Sequence, residues 1–345
     1  MKIEMRHGAG GAAMEEFIKN EILARLGFGS VEIGLEKLDD SCVVDGIVFT
    51  TDSYTVKPVF FAGGDIGKLA VSGTVNDIAA IGGLPIAISS ALIIEEGFQL
   101  EDFRKIMRSM ATEAKKAGVV ITTGDTKVVE KGSVDKIFIN TAGIGKRHPN
   151  LDENFEVVSN FRKAKHRWLL DSNIEDGDKI IVTGSIGDHG AAILAARYEI
   201  EGSIQSDAQP LNKLMEKALK IGGITAAKDP TRGGLANLLN EWREKSNIGF
   251  LIREKDLPIK QETKAICELL GIDALELANE GIYAMAVVPE MAEEVLEEIR
   301  KLPEGKNATI VGEARKDYEY AVLETNVGGK RIIEAPIGSA VPRIC

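Results

Sequence analysis

The sequence predicts a two-domain protein of mixed helix and sheet: an α+β domain of order ββαβαββ, then an α/β domain, then a flexible C-terminal tail. Three observations carry this reading. A chain of 345 residues can bury two sizeable cores. Strand-like and helix-like runs follow one another in different orders on the two sides of a polar stretch at 148–176. Beyond Gly328-Gly329 neither periodicity continues, and the chain ends in "EAPIGSAVPRIC". The expected divisions are a glycine-rich segment and helix at 1–36, a first domain at 37–148, a connection at 149–176, a second domain at 177–328 and a mobile tail at 329–345.

Apolar residues from Met14 to Leu26 recur at helical spacing, directly after "RHGAGG". Two β-branched runs flank Asp45-Gly46 in "DDSCVVDGIVFTTDS", the signal of a two-residue hairpin. A helix fits 65–81, entered through Gly63-Gly64 with Asp65 as its cap and left through Gly82-Gly83-Leu84-Pro85. A strand at 86–94, a helix at 100–117 and strands at 118–123 and 136–144 complete a sheet with helices on one face. The second half restarts with the strand "DKIIVTG", the glycine loop "SIGDHG" and a helix from Ala191. Helices near 210–221, 233–245, 261–271 and 290–301 then alternate with strands near 248–253, 282–288, 307–312 and 319–325.

Composition narrows the function. Apolar content of 44% with 28% charged residues is that of a soluble globular protein, with no signal peptide and no apolar run of membrane-spanning length. A net charge of −11 argues against nucleic acid or an anionic membrane as the main partner. Cys42, Cys267 and Cys345 lie too far apart for a CxxC metal box or a disulfide framework, which points to a reducing cytoplasm. Cys42 and Cys267 sit in apolar patterns and read as core thiols. Cys345 is different: it closes the chain, where a side chain has little to pack on, and a prenylation box would place it fourth from the end.

Counting back from the hairpin turn pairs Asp40 with Thr51 and Asp39 with Asp52, so three carboxylates gather at one end. Crowded acids repel, and a bound cation relieves them; solvated turn carboxylates are the ordinary alternative. Asp77 lies on a small, apolar helix, where a carboxylate needs a partner. Asp125 ends a strand in "VVITTGDT" and Asp229 opens "DPTRGGL", places where Asp also serves as a plain helix cap. Such acids, separated by glycines, suit Mg²⁺ completed by phosphate oxygens. No Walker lysine loop or dinucleotide fingerprint is present. "SIGDHG" fits either a phosphate nest or a tight strand-to-helix turn.

The stretches "HGAGG", "LDDSCV", "TTDSYTVKP", "GGDIGKLAVSGTVNDIAAIGG", "GDTKVV", "GDHG", "KDPTRGGL", "NEG" and "PRIC" span nearly the whole chain. In this order the sequence resembles the aminoimidazole ribonucleotide synthetase-like (PurM-like) ATP-dependent enzymes, and among them the carbamoyl dehydratases of hydrogenase maturation. Only the 148–176 segment departs, being longer than that pattern. The resemblance implies a two-domain PurM-like fold whose first domains pair into a barrel, hence a homodimer. It implies ATP and Mg²⁺ as cofactors, a HypF carbamoyltransferase as donor and a HypC–HypD iron scaffold as acceptor. Cys345 would carry a carbamoyl group that ATP-driven dehydration turns into a thiocyanate, the source of a cyanide ligand for nickel–iron hydrogenase.

The same resemblance implies Asp40, Asp52, Asp77, Asp125 and Asp229 at the Mg²⁺–ATP site, with Asn76 and Thr126 beside them and Lys68 as a further phosphate candidate. It places Lys127 and Glu280 near the reacting group. Glu280 is read as the general base, because burial raises a carboxylate pKa toward neutrality, and Lys127 as the stabiliser of developing negative charge. A plain Lys127–Glu280 salt bridge is the ordinary alternative. His7 and His189 sit in glycine loops, where nucleotide contact and loop stabilisation are equally good readings. Arg343 reads as a solvated or partner-facing charge. From about Glu334 onward the tail is expected to stay unpacked, stiffened at Pro336 and Pro342 and bending at Gly338 and Ser339. Twelve residues reach at most about 40 Å when extended. Two other readings stand beside this one. A selenophosphate synthetase would want a reactive Cys in the first glycine loop, where "RHGAGGAAM" has none. A non-catalytic thiol carrier would present Cys345 without transforming what it holds.

Overall fold

The computed structural model describes residues 2–8, 10–26, 29, 31–336 and 343–345. The expected bend at Gly338 and Ser339 and the stiffening at Pro342 lie outside the described residues. The first helix is shorter and less regular than its spacing predicts: α1 (Ala12–Phe17) widens into a π-helical stretch, Ile18–Leu23, and neither buries a residue fully. The hairpin forms as predicted. Asp45 and Gly46 take φ of 51 and 76, the left-handed values a two-residue turn requires, and β1 (Cys42–Val44) meets β2 (Ile47–Tyr54) with Val44 opposite Ile47.

Two short strands, β3 (Phe60–Phe61) and β4 (Gly64–Asp65), lead into α2 (Ile66–Ala80). The Asp65 carboxylate accepts from Gly67 N at 2.8 Å and Lys68 N at 3.0 Å, the expected cap. β5 (Gly83–Glu95), α3 (Leu100–Ala117), β6 (Val120–Val129) and β7 (Ile137–Arg147) complete a sheet of order β1-β2-β7-β5-β6, antiparallel except between β5 and β6. Helices α2 and α3 cover one face. The other face exposes Val44, Ile47, Phe49, Ile86, Ile93 and Ile144, and the edge strand β6 is exposed along nearly all its length.

The segment read as a connection holds a helix, α4 (Asn150–Ser159). Leu151, Phe155 and Val158 recur at helical spacing and are buried, so this polar-looking stretch still had an apolar stripe to pack. After it come β8 (Lys179–Val182), α5 (Asp188–Arg197), α6 (Asn212–Ile221), β9 (Ile224–Lys228), α7 (Gly234–Ser246) and β10 (Gly249–Arg253). The chain continues through α8 (Gln261–Leu270), β11 (Ala284–Val287), α9 (Ala292–Ile299), β12 (Thr309–Arg315), β13 (Ala321–Glu324) and β14 (Lys330–Ile332). These strands make a mixed sheet of order β14-β13-β10-β12-β8-β11-β9, parallel only between β10 and β13. Strand β14 corrects the expected start of the tail at 329, because residues 330–332 pair in register with β13.

The two halves share apolar cores. Ile78 and Ala79 of α2 pack in one cluster with Leu211, Ile224 and Tyr283, and Tyr54 and Ile66 in another with Ala191, Ile193 and Ile344. Among the described residues no helix is long and apolar enough to cross a membrane.

Candidate active site

Strand alternation puts Asp52 on the inward face of β2, between exposed Thr51 and Ser53. Across from it, α2 supplies Gly73 and Asp77, and the Asp77 carboxylate accepts from Thr50 Oγ1 at 3.0 Å. A Cβ on Gly73 would stand 2.3 Å from the Tyr54 hydroxyl oxygen, so only glycine lets the strand and helix close here. Asp40, ahead of β1, is held by Lys228 Nζ at 2.7 Å, and Lys228 also reaches Glu241 at 3.3 Å. The loop after β9 brings Asp229, Thr231 and Arg232, and the loop before β11 brings Glu280. With Cys345 these residues line a cavity of about 170 Å³.

The cavity is rich in unneutralised acid. Burial, reinforced by neighbouring carboxylates, pushes the pKa values of Asp77, Asp229 and Glu280 well above the usual range. Burial also raises Asp40 and Asp52, against Lys228 for the former and a Tyr54 hydrogen bond for the latter. Asp229 Oδ2 and Glu280 Oε1 are buried without any hydrogen-bond partner. Asp207 steadies the Glu280 loop, its carboxylate accepting from Glu280 N at 3.2 Å, Gly281 N at 3.2 Å and Asn279 Nδ2 at 2.8 Å. Burial drives the Cys345 thiol far above its ordinary pKa, with Glu280 adding to the shift and Arg232 opposing it.

Cys345 reaches the cavity because the end of the chain is docked. Its carbonyl accepts from Thr55 N at 2.9 Å, and the carbonyl of Arg343 accepts from Lys57 N at 3.2 Å. Ile344 is 3% exposed, and Pro336 is buried as well. The expectation that the chain stays unpacked from Glu334 is therefore corrected for Pro336 and for Arg343–Cys345: apolar burial and backbone hydrogen bonds hold them. Arg343 is not a solvated charge either; its guanidinium bonds Asp135 at 2.8 Å and the Thr55 carbonyl at 2.8 Å.

Of the predicted site residues, Asp40, Asp52, Asp77, Asp229, Glu280 and Cys345 meet at this one cavity. Asp125, Thr126 and Lys127 do not. Register pairs Asp125 with Ala91 and Lys127 with Ile93 on the outer face of the sheet, opposite the face that carries Asp52. Lys127 pairs with Asp125 at 2.9 Å, so the alternative Lys127–Glu280 salt bridge is absent. Asn76 is fully buried and spends its amide on Leu211 N, Gln209 O and Glu280 O, which ties α2 to the second half rather than to a ligand. Lys68 closes the turn at Gly63 O, at 2.9 Å. His7 accepts from Glu4 N, and His189 contacts the tail. Arg232 and Lys228 were not assigned roles from the sequence, although both lie in "KDPTRGGL"; a basic residue in a glycine loop carries no signal of its direction.

A second, more apolar cavity of about 650 Å³ adjoins the first and shares Asp40, Thr231 and Arg232 with it. Met14, Ile18, Leu35 and Phe49 are among its walls. Among the described residues no three acids form a ready-made metal cage. A divalent ion here would need oxygens from a ligand to complete its shell, while the unpartnered Asp229 oxygen and the raised acids fit a missing positive charge.

Comparison with known proteins bears on this geometry. The model of the N-terminal domain of AIR synthase related proteins matches residues 38–146, and that of the C-terminal domain matches residues 175–323. The chain is 51% identical to a putative hydrogenase expression/formation protein of Methanocaldococcus jannaschii, over 100% of both chains. It is 42% identical to the carbamoyl dehydratase HypE of Rhizobium leguminosarum bv. viciae, over 100% of this chain and 95% of the relative. Among solved structures, the HypE–HypF complex matches with a TM-score of 0.83 and 43% identity, covering 94% of this chain and 100% of that one. HypE in complex with ATP matches with a TM-score of 0.79 and 36% identity over 100% of both.

Proposed function

The chain belongs to the AIR synthase-related family and, within it, to the carbamoyl dehydratases, and on that premise we propose that it uses ATP to dehydrate a carbamoyl group on its own Cys345. The observation that carries this reading is the presence of Cys345 in the same cavity as Asp52, Asp77, Asp229 and Glu280. An amide oxygen is a poor leaving group in water. Transfer of the γ-phosphoryl group of ATP to that oxygen gives S–C(OPO₃²⁻)=NH; loss of phosphate and the last N–H proton then leaves S–C≡N. The atoms balance as carbamoyl plus ATP giving thiocyanate, ADP and phosphate.

Glu280 faces the sulfur with an unpartnered oxygen and a raised pKa, which suits a group that takes a proton from nitrogen. Arg232 is the cation that lines the cavity and suits developing charge on phosphate. The raised pKa of Cys345 disfavours a free thiolate and favours a sulfur already capped by a neutral group. The apolar second cavity has room for a base and ribose, with the phosphates directed toward Asp40 and Arg232. Mg²⁺ would be held by Asp40, Asp52, Asp77 and Asp229 together with phosphate oxygens, and when bound it would neutralise the transferring group. Asp125 and Lys127 point from the bare sheet face, with Thr126 on the same exposed edge strand, and they would serve the site of a second copy, which the exposed apolar residues of that face also call for.

The carbamoyl group would arrive from a HypF protein, and the cyanide would leave to a HypC–HypD complex. The test is intact-mass spectrometry of the carbamoylated protein. Adding ATP and Mg²⁺ should remove the mass of one water, and no such loss would sink the proposal. A passive thiol carrier would show the carbamoyl mass unchanged with ATP.

A further inference from the structure

Among the buried groups that this chemistry does not use, His189 stands out. It is 0% exposed, and its ring lies between Ser206 Oγ and the carbonyl of Ile344, each at 2.8 Å. We propose that His189 and Arg197 are positioning residues that set the Cys345 sulfur in the cavity by gripping the carbonyls of the two residues before it. This rests on Cys345 being the carrier.

The hydrogen bonds fix the direction of the grip. A carbonyl can only accept, so His189 Nε2 must carry the proton and donate it to Ile344 O. Nδ1 is then an acceptor, and the Ser206 hydroxyl donates to it while accepting from Ala208 N at 3.1 Å. Burial lowers the His189 pKa to about 4, which keeps the ring neutral with a single N–H, and that N–H is spent on the tail. Arg197 donates through Nη2 to Arg343 O at 2.7 Å and through Nε to Lys57 O at 2.6 Å, so it braces the tail against the loop that follows β2. Both grips read backbone, one residue apart, and together they leave the last residue little freedom but to enter the cavity. When the tail departs, His189 loses its acceptor in a buried place, a cost that favours return.

In His189→Ala, alkylation of Cys345 by iodoacetamide, followed by peptide mass analysis, should speed up roughly three- to tenfold, the equilibrium effect of one net hydrogen bond. Single-turnover loss of water from the carbamoylated protein should slow by a similar factor, with ATP affinity by calorimetry unchanged. His189→Gln, whose amide N–H can reach the same carbonyl, should restore both rates. Should His189→Ala not fold, Arg197→Gln at a half-buried site reads the same two quantities and should move them the same way. Wild-type alkylation rates in these variants would overturn the proposal. So would a fall in ATP affinity without faster alkylation, or a failure of His189→Gln to rescue. Alkylation needs no dehydration chemistry, so a wild-type protein that never loses water would sink the functional reading and still leave this grip tested.

Discussion

Asp77, Asp229 and Glu280 are buried acids whose nearest charged neighbours are mostly other acids, and each holds its proton more firmly than it would in water. Asp77→Asn removes that conflict, so the ligand-free protein should keep its melting temperature or gain slightly. Mg²⁺–ATP should bind at least tenfold more weakly by calorimetry, the order of one lost charged ligand. Asp207 offers a pH test read as the difference between variant and wild type, because burial also pushes Asp39 up to about 6. The Asp207 pKa is raised by burial from 3.8 to about 6, so the folded state holds a proton the unfolded chain releases. This contribution to stability is full below the unfolded value and is lost as pH rises through about 6. The paired acids Asp135 and Asp152 are shifted the other way and act below 3.8, outside that window. Asp207→Asn should flatten the decline in urea stability between pH 4 and about 6; an unchanged slope would reject the assignment. Cys42→Ala and Cys267→Ala should keep the ATP-dependent loss of water, at a cost near 1 kcal/mol for the buried Cys267, whereas Cys345→Ala should abolish it. Acids at turns and strand ends could be found by reading the chain. The face from which Asp125 and Lys127 project could not, because a one-residue change of register reverses it.

Elements with their own local signals were legible. The Asp45-Gly46 turn and the Asp65 cap each follow from backbone chemistry within a few residues. Asp65→Ala should destabilise α2 by about 1 kcal/mol in urea unfolding, with Asp65→Asn close to wild type. Strand β9, "ITAAK", was not foreseen, because alanines carry no strand preference and its place as the edge strand beside β11 comes from tertiary pairing. The polar 148–176 connection allowed one short strand or helix without deciding between them, and the apolar stripe of α4, packed on the second half, settles it as a helix. The docking of Arg343–Cys345 had no local signal at all. Its donors come from Thr55, Lys57, His189 and Arg197, which the sequence keeps far apart.

On the scale of the molecule, the uncovered sheet face and the long exposed strand β6 are the main unfinished surface among the described residues. Light scattering at micromolar concentration should find a dimer, and Ile144→Glu on that face, away from both cavities, should yield monomer with little activity; a monomeric wild type would refute the pairing. The docked chain end has a different kind of consequence. Because the successive backbone oxygens of Arg343, Ile344 and Cys345 are each held, the count of residues between these grips and the cavity is part of the reacting geometry. A residue added after Cys345 would have to fit beside a cavity of about 170 Å³, and removal of Cys345 would take the thiol out of it. One alanine appended after Cys345 should therefore cut single-turnover dehydration at least tenfold while the melting temperature stays put, a terminal residue burying little area. Either change would leave both apolar cores intact, so a thermal-stability screen would pass it and only a dehydration assay would reveal it.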